Sequence, residues 1–109
     1  MELLKKKCIP CEGGTSPLSD AEEDTLIMQV PGWELNRGTI HKLEREFKFK
    51  NFERALAFVN KVGTIAESEG HHPDIHVYYS KVVLELYTHA IGGLSENDFI
   101  LAAKINAIK

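Results

Sequence analysis

Apolar and polar positions change period several times along this chain, and each change marks an element. From Trp33 to Lys50, Leu35, Leu43, Phe47 and Phe49 alternate with Glu34, Glu44, Glu46, Lys48 and Lys50, the period of two that a strand with one buried face requires. The turn signal Asn36-Arg37-Gly38 makes this stretch a hairpin. Arg45 falls on the apolar parity and is read as the place where the strand runs beyond the core. After Asn51 the period lengthens, with Phe52, Ala55, Leu56, Val59, Val62 and Ala66 at helical spacing, which predicts a helix over 51–68. Phe58 and Ile65 lie off that stripe and are read as a second face, suited to a partner subunit.

Gly70 suits the left-handed cap of that helix, and the residue before Pro73 must be extended. Ile75, Val77 and Tyr79 then alternate with Asp74, His76 and Tyr78, and Val82, Leu84 and Leu86 with Val83, Glu85 and Tyr87, predicting two more strands joined near Ser80-Lys81. Ser19 with Glu22, and Ser95 with Asp98, have the spacing of capping boxes. The first would open a short helix that Pro31-Gly32 stops, and the second a closing helix carrying Phe99, Ala102, Ala103 and Ala107. The predicted order is α-β-β-α-β-β-α. It gives an α+β fold, a four-stranded antiparallel sheet with its helices on one face.

The chain has 109 residues, 43% of them hydrophobic, which suits one core and not two. Residues 1–17, with Pro10, Gly13, Gly14 and Pro17, are read as a flexible arm, and 18–109 as the single domain. A formal net charge of −3 from intermixed signs gives no basic surface for nucleic acid. No apolar run reaches the length of a membrane span, so a soluble cytoplasmic protein is expected, with neither nucleic acid nor membrane as partner. Cys8 and Cys11 form a lone Cys-x-x-Cys among lysines and turn residues, read as a reduced pair in the arm without metal or redox duty.

The chemistry concentrates in histidines. His71 and His72 stand where the long helix gives way to a strand, and His89 follows the last strand. A turn at Ser80-Lys81 pairs residues whose numbers sum to about 161, which sets His72 opposite His89. Two imidazoles held together suit proton transfer near neutral pH, since histidine's reference pKa is about 6.5. Asp98 has two compatible readings, as a helix cap and as support for the site. Tyr79 is open between core packing and substrate contact. Glu67, one helical turn before His71, is either a solvated carboxylate or a group that orients an imidazole. His41 and His76 are read as structural.

The full spacing, Glu67-x-x-x-His71-His72-Pro73, five residues, Tyr79, nine residues, His89, eight residues, Asp98, resembles the signature of the pterin-4a-carbinolamine dehydratases. The resemblance extends from about Trp33 to the C-terminus and includes Thr88-His89 and Gly92-Gly93-Leu94. It implies the same α+β fold and dehydration of a 4a-hydroxytetrahydropterin to the quinonoid dihydropterin, recycling the pterin of aromatic amino-acid hydroxylases with no metal or organic cofactor. It implies acid-base roles for His71 and His89 and an orienting, pterin-binding role for His72. Glu67, Pro73, Asp74, Tyr79 and Asp98 become substrate-binding or supporting residues. It also implies a homodimer or homotetramer. The chain departs from animal members at Ile75, where they commonly carry tryptophan.

Two rival functions use the same residues. A metal-binding protein would draw on His71, His72, His76 and His89, although adjacent histidines in an extended segment point apart. A non-catalytic dimerisation or interaction module is the other, since animal members also partner a homeodomain transcription factor.

Overall fold

The computed structural model describes residues 3–8 and 16–108. Chain order is α1 (Asp20–Ile27), β1 (Glu34–Arg37), β2 (His41–Lys48), α2 (Phe52–Glu69), β3 (Asp74–Tyr78), β4 (Lys81–Leu86) and α3 (Glu96–Asn106). The strands form one antiparallel sheet in the order β1-β2-β4-β3. Leu43, Val82, Leu84 and Leu86 are buried on one face, together with Phe58 and Val62 of α2 and Phe99, Leu101 and Ile105 of α3. The other face is polar: Glu85 contacts Lys42 and His76, and Glu46 contacts Lys48 and Lys81. This is the predicted α+β architecture.

Local sequence accounts for most boundaries. Ser19 and Glu22 close a reciprocal capping box at α1, satisfying two helix N-terminal donors. Asn51 caps α2 by accepting the Arg54 N–H at 2.9 Å. Gly70 ends α2 at φ +65°, a conformation that costs glycine nothing. The first hairpin turns later than its signal: β1 runs through Arg37, and Asn36 Oδ1 accepts the Gly38 N–H at 3.0 Å, an Asx turn that carries the chain to β2.

Three expectations need correction. Phe58 lies on the buried face of α2, while Phe52 and Leu56 are 46% and 39% exposed. The helix is rotated about an aromatic anchor, for Phe58 meets Phe47 and Phe49 of the sheet side with ring centroids 4.6 and 5.1 Å away. Arg45 does not mark the strand's end. It pairs with Leu84 in mid-strand and lays its guanidinium 4.5 Å from the centre of the Phe47 ring. The second hairpin turns at Tyr79-Ser80, pairing Tyr78 with Lys81 and Asp74 with Glu85. That register is displaced by one residue at the turn, so His72 and His89 are not cross-strand partners.

The start of the chain is packed. Leu3 is 3% exposed within the main core, Lys6 pairs with Glu96 at 2.9 Å, and the Cys8 N–H donates to Glu69 Oε1 at 2.8 Å. Residues 3–8 thus lie against α2 and α3. Pro10, Cys11, Gly13 and Gly14 fall outside the described residues.

Candidate active site

The end of α2 delivers His71. The His71 N–H donates to Ala66 O at 3.2 Å, which fixes the residue to the last helical turn just before Pro73 forces the chain into β3. Its side chain is 12% exposed, and Nε2 lies 2.6 Å from Asp98 Oδ1. Asp98 is completely buried, and a buried carboxylate is stable only when its oxygens are bonded. They are: Oδ2 accepts the Thr88 hydroxyl at 2.8 Å and the Ser95 N–H at 2.9 Å. Asp98 therefore caps α3 and holds His71 at the same time, so its two sequence readings coexist.

Thr88, noted in the sequence only as the neighbour of His89 and given no role, joins the parts. Its hydroxyl also lies 2.7 Å from Ser95 Oγ. Since its one proton goes to Asp98, the Ser95 hydroxyl is the donor in that pair. A signal was available: burial alternates through Val82, Leu84 and Leu86, and Thr88 continues that parity, so a hydroxyl at a core position required a bonding partner.

His72 turns the other way. Its Nε2 lies 2.6 Å from Glu67 Oε1, with side chains 57% and 79% exposed, as adjacent positions in an extended segment demand. His89 opens a short 3₁₀ turn, His89–Ile91, closed by Gly92 at φ +66°. Its ring stacks on Tyr87 at 4.1 Å between centroids and 23° between planes, and Lys42 Nζ stands 5.5 Å from the Tyr87 ring centre. The Thr88 N–H donates to Gly93 O at 2.8 Å. A covalent and hydrogen-bonded path thus runs from His71 through Asp98 and Thr88 to His89.

The remaining predicted residues divide. Pro73 is half-buried, and Asp74 is half-buried opposite Glu85 on the open face of the sheet. Tyr79 is not core: it is 72% exposed in the β3–β4 turn at φ +53°, at the end of the hairpin away from the histidines. His76 lies 3.4 Å from Glu85 and His41 2.9 Å from buried Glu23.

A largely buried carboxylate also borders the site. Glu69, two residues before His71, accepts the Cys8 N–H and meets Lys104 at 3.3 Å. The Cys8 hydrogen bond, then the lysine, holds it below the usual carboxylate range. Burial, reinforced by the Glu69 charge, pushes the Cys8 thiol up to about 12.

Metal-ligand spacing occurs, among the described residues, at Asp20, Glu23 and His41, where the Arg37 guanidinium already pairs with Glu23 at 2.9 Å. His71, His72, His76 and His89 do not converge in that way. A cavity of about 410 Å³ lies over the N-terminal half of α2 and contains none of the candidate histidines. Its volume is a poorer guide than the buried His71–Asp98 pair, because proton transfer needs positioned titratable groups.

A family model described as pterin 4 alpha carbinolamine dehydratase matches residues 16–108. A Nitrosospira multiformis protein provisionally named for that dehydratase is 52% identical over 107 residues, 98% of this chain and 92% of its own. One from Alkaliphilus metalliredigens, named likewise, is 51% identical over 105 residues, 95% of this chain and 93% of its own. A crystal structure from Brucella melitensis, described as a transcriptional coactivator/pterin dehydratase, superposes with a TM-score of 0.78 at 33% identity, over 84% of this chain and 97% of that one.

Proposed function

The chain belongs to the pterin 4 alpha carbinolamine dehydratase family, and from that premise we propose that it is a hydro-lyase converting a 4a-hydroxytetrahydropterin to quinonoid dihydropterin by histidine acid-base catalysis. The reaction moves two protons. The 4a-hydroxyl gains one and departs as water, and N5 loses one as the C=N bond forms. The observation that carries the reading is the buried Asp98 carboxylate 2.6 Å from His71 Nε2. With Nε2–H donated to Asp98, neutral His71 keeps its lone pair on Nδ1, the form of a general base. We assign that nitrogen to the N5 proton and exposed His89 to protonation of the leaving hydroxyl. His72, held by Glu67, orients the pterin, with Pro73 and Asp74 beside it.

Rapid-mixing measurement of dehydration tests the assignment. Wild-type protein should exceed the spontaneous rate, and His71→Ala and His89→Ala should each lower kcat by about 10²–10⁴-fold, whereas His72→Ala should raise KM. No acceleration by the wild type would remove the enzyme reading. Loss of turnover at His72→Ala with affinity intact, and only KM effects at the other two, would overturn the division of roles.

The physiological role that follows is recycling of the pterin used by aromatic amino-acid hydroxylases, in the cytoplasm. We also propose self-association as a homodimer or homotetramer through α2, where Phe52 and Leu56 expose apolar surface one turn apart. A monomeric mass by light scattering would contradict it.

A further inference from the structure

Arg45 places a charge on the core-facing side of the sheet, and the proposed dehydration does not use it. Its surroundings are shaped to receive it. Gly32 sits at φ +91°, and a Cβ there would fall 2.6 Å from Arg45 Cζ. Nη1 donates to Asn106 Oδ1 at 2.5 Å and to Pro31 O at 3.3 Å, and Asn106 is itself held by the Trp33 Nε1–H at 2.8 Å. Both acceptors are neutral. The C-terminal end of α3 offers at most about half an elementary charge, so the half-buried guanidinium, lying 4.5 Å over the Phe47 ring, has no full negative charge among these contacts.

The cavity of about 410 Å³ opens beside it. Phe47, Phe49 and Phe58, packed ring against ring, give it an aromatic floor. From α2 it receives Arg54, Ala57 and Lys61, positions that share one helical face. Arg54 stands in the first turn of α2, where the helix dipole disfavours a cation, and among the described residues neither it nor Arg45 has a carboxylate at ion-pair distance. Among the described residues none of the lining side chains is acidic, in a chain of net charge −3.

We infer that this cavity binds a small amphipathic anion, with a flat apolar body against the three phenylalanines and a carboxylate head among Arg45, Arg54 and Lys61. The volume is within the range of small-molecule sites, and a guanidinium favours the planar carboxylate. Ala57, between the two α2 cations, leaves the entrance open. The site is separate from the histidines and stands or falls independently of the dehydratase reading.

Amide chemical-shift titration with 3-phenylpropionate and with its neutral amide tests this, on wild-type protein, Arg54→Gln/Lys61→Gln and Ala57→Trp, each checked for native spectral dispersion. The acid should bind the wild type saturably with a Kd on the order of 1 mM and shift amides of residues 45–49, 54–61 and 105–108. The amide should bind about tenfold more weakly, and the double variant should lose about tenfold for the acid alone, as expected for hydrogen bonds to charged groups. The tryptophan at 57, on an exposed position, should abolish binding by filling the cavity. No saturable binding, equal binding of acid and amide, or binding indifferent to Ala57→Trp would each overturn the proposal.

Discussion

His71 Nε2 lies 2.6 Å from Asp98 Oδ1, and the other oxygen of the same carboxylate accepts the N–H of Ser95 that begins α3. One buried group thus orients an imidazole and starts a helix. Removing it should damage both. Asp98→Ala leaves Thr88, Ser95 and His71 without their acceptor and should cost on the order of 3 kcal/mol, read as a fall in the urea midpoint. Asp98→Asn preserves shape and should recover part of the stability while lowering kcat, since an amide supports the His71 ring without its charge.

Glu67 and His72 make an equally short contact in a different setting. With side chains 79% and 57% exposed, water competes for both, and Glu67→Gln should change stability by about 0.5 kcal/mol or less. If Glu67 orients the His72 imidazole for the proposed pterin contact, KM should rise in the same variant. An unchanged KM would return Glu67 to the role of a solvated carboxylate.

Glu69 predicts the acid limb of stability. Its carboxyl is held below its unfolded value by the Cys8 N–H and Lys104, so its stabilisation is present above the unfolded carboxylate range and disappears as pH falls through the lower folded value. Unfolding midpoints measured between neutral and acid pH should drop more steeply for wild type than for Glu69→Gln. Parallel curves would show that the carboxylate gains nothing from these contacts.

Cys8 should be inert in the folded protein. A thiol pushed up to about 12 by burial and the neighbouring Glu69 holds almost no thiolate at mildly alkaline pH, and thiolate is the reactive form. Peptide-resolved mass spectrometry after iodoacetamide treatment should find the Cys8 peptide unmodified in native protein and labelled in urea. Rapid native labelling would mean that residues 3–8 detach readily.

Tyr79 adopts φ +53°, which costs a non-glycine residue roughly 1–2 kcal/mol. Tyr79→Asn, better suited to that conformation, should stabilise by about 0.5–1 kcal/mol. Unaltered kinetics in this variant would remove Tyr79 from substrate contact, whereas a raised KM would restore it, through a neighbouring subunit if the chain self-associates.

The same turn shows where sequence reading reached its limit. Period, capping residues and Gly70 specified α1 to α3 and the four strands of the sheet, because these are local effects. Register depends on which two residues form the turn, and Tyr79 carries no signal for a positive φ, so the opposition of His72 and His89 was misplaced. Parity survived the error: the pairing sum changed from about 161 to 159, both odd, so Val82, Leu84 and Leu86 stayed on the buried face, while Tyr79 left the strand for the turn. Arg45 was misjudged for a related reason. Its place on the apolar face depends on Gly32, Phe47 and Asn106, which only the tertiary fold assembles. The His71–Asp98 contact was half legible, since the cap spacing was visible and the route through Thr88 was not.

The contacts at the start of the chain bear on how the molecule is made. Lys6 meets Glu96 and Cys8 meets Asn97, at separations of 90 and 89 residues. During synthesis at about 5–20 residues per second, α3 emerges roughly 5–20 s after Leu3. Throughout that interval Leu3 has no α3 to pack against, and Cys8 has no Asn97 carbonyl to meet. The Glu69 and Asn97 contacts that surround the Cys8 thiol are therefore completed late, and a nascent chain passes through a period in which this cysteine has ordinary thiol surroundings that the folded protein replaces.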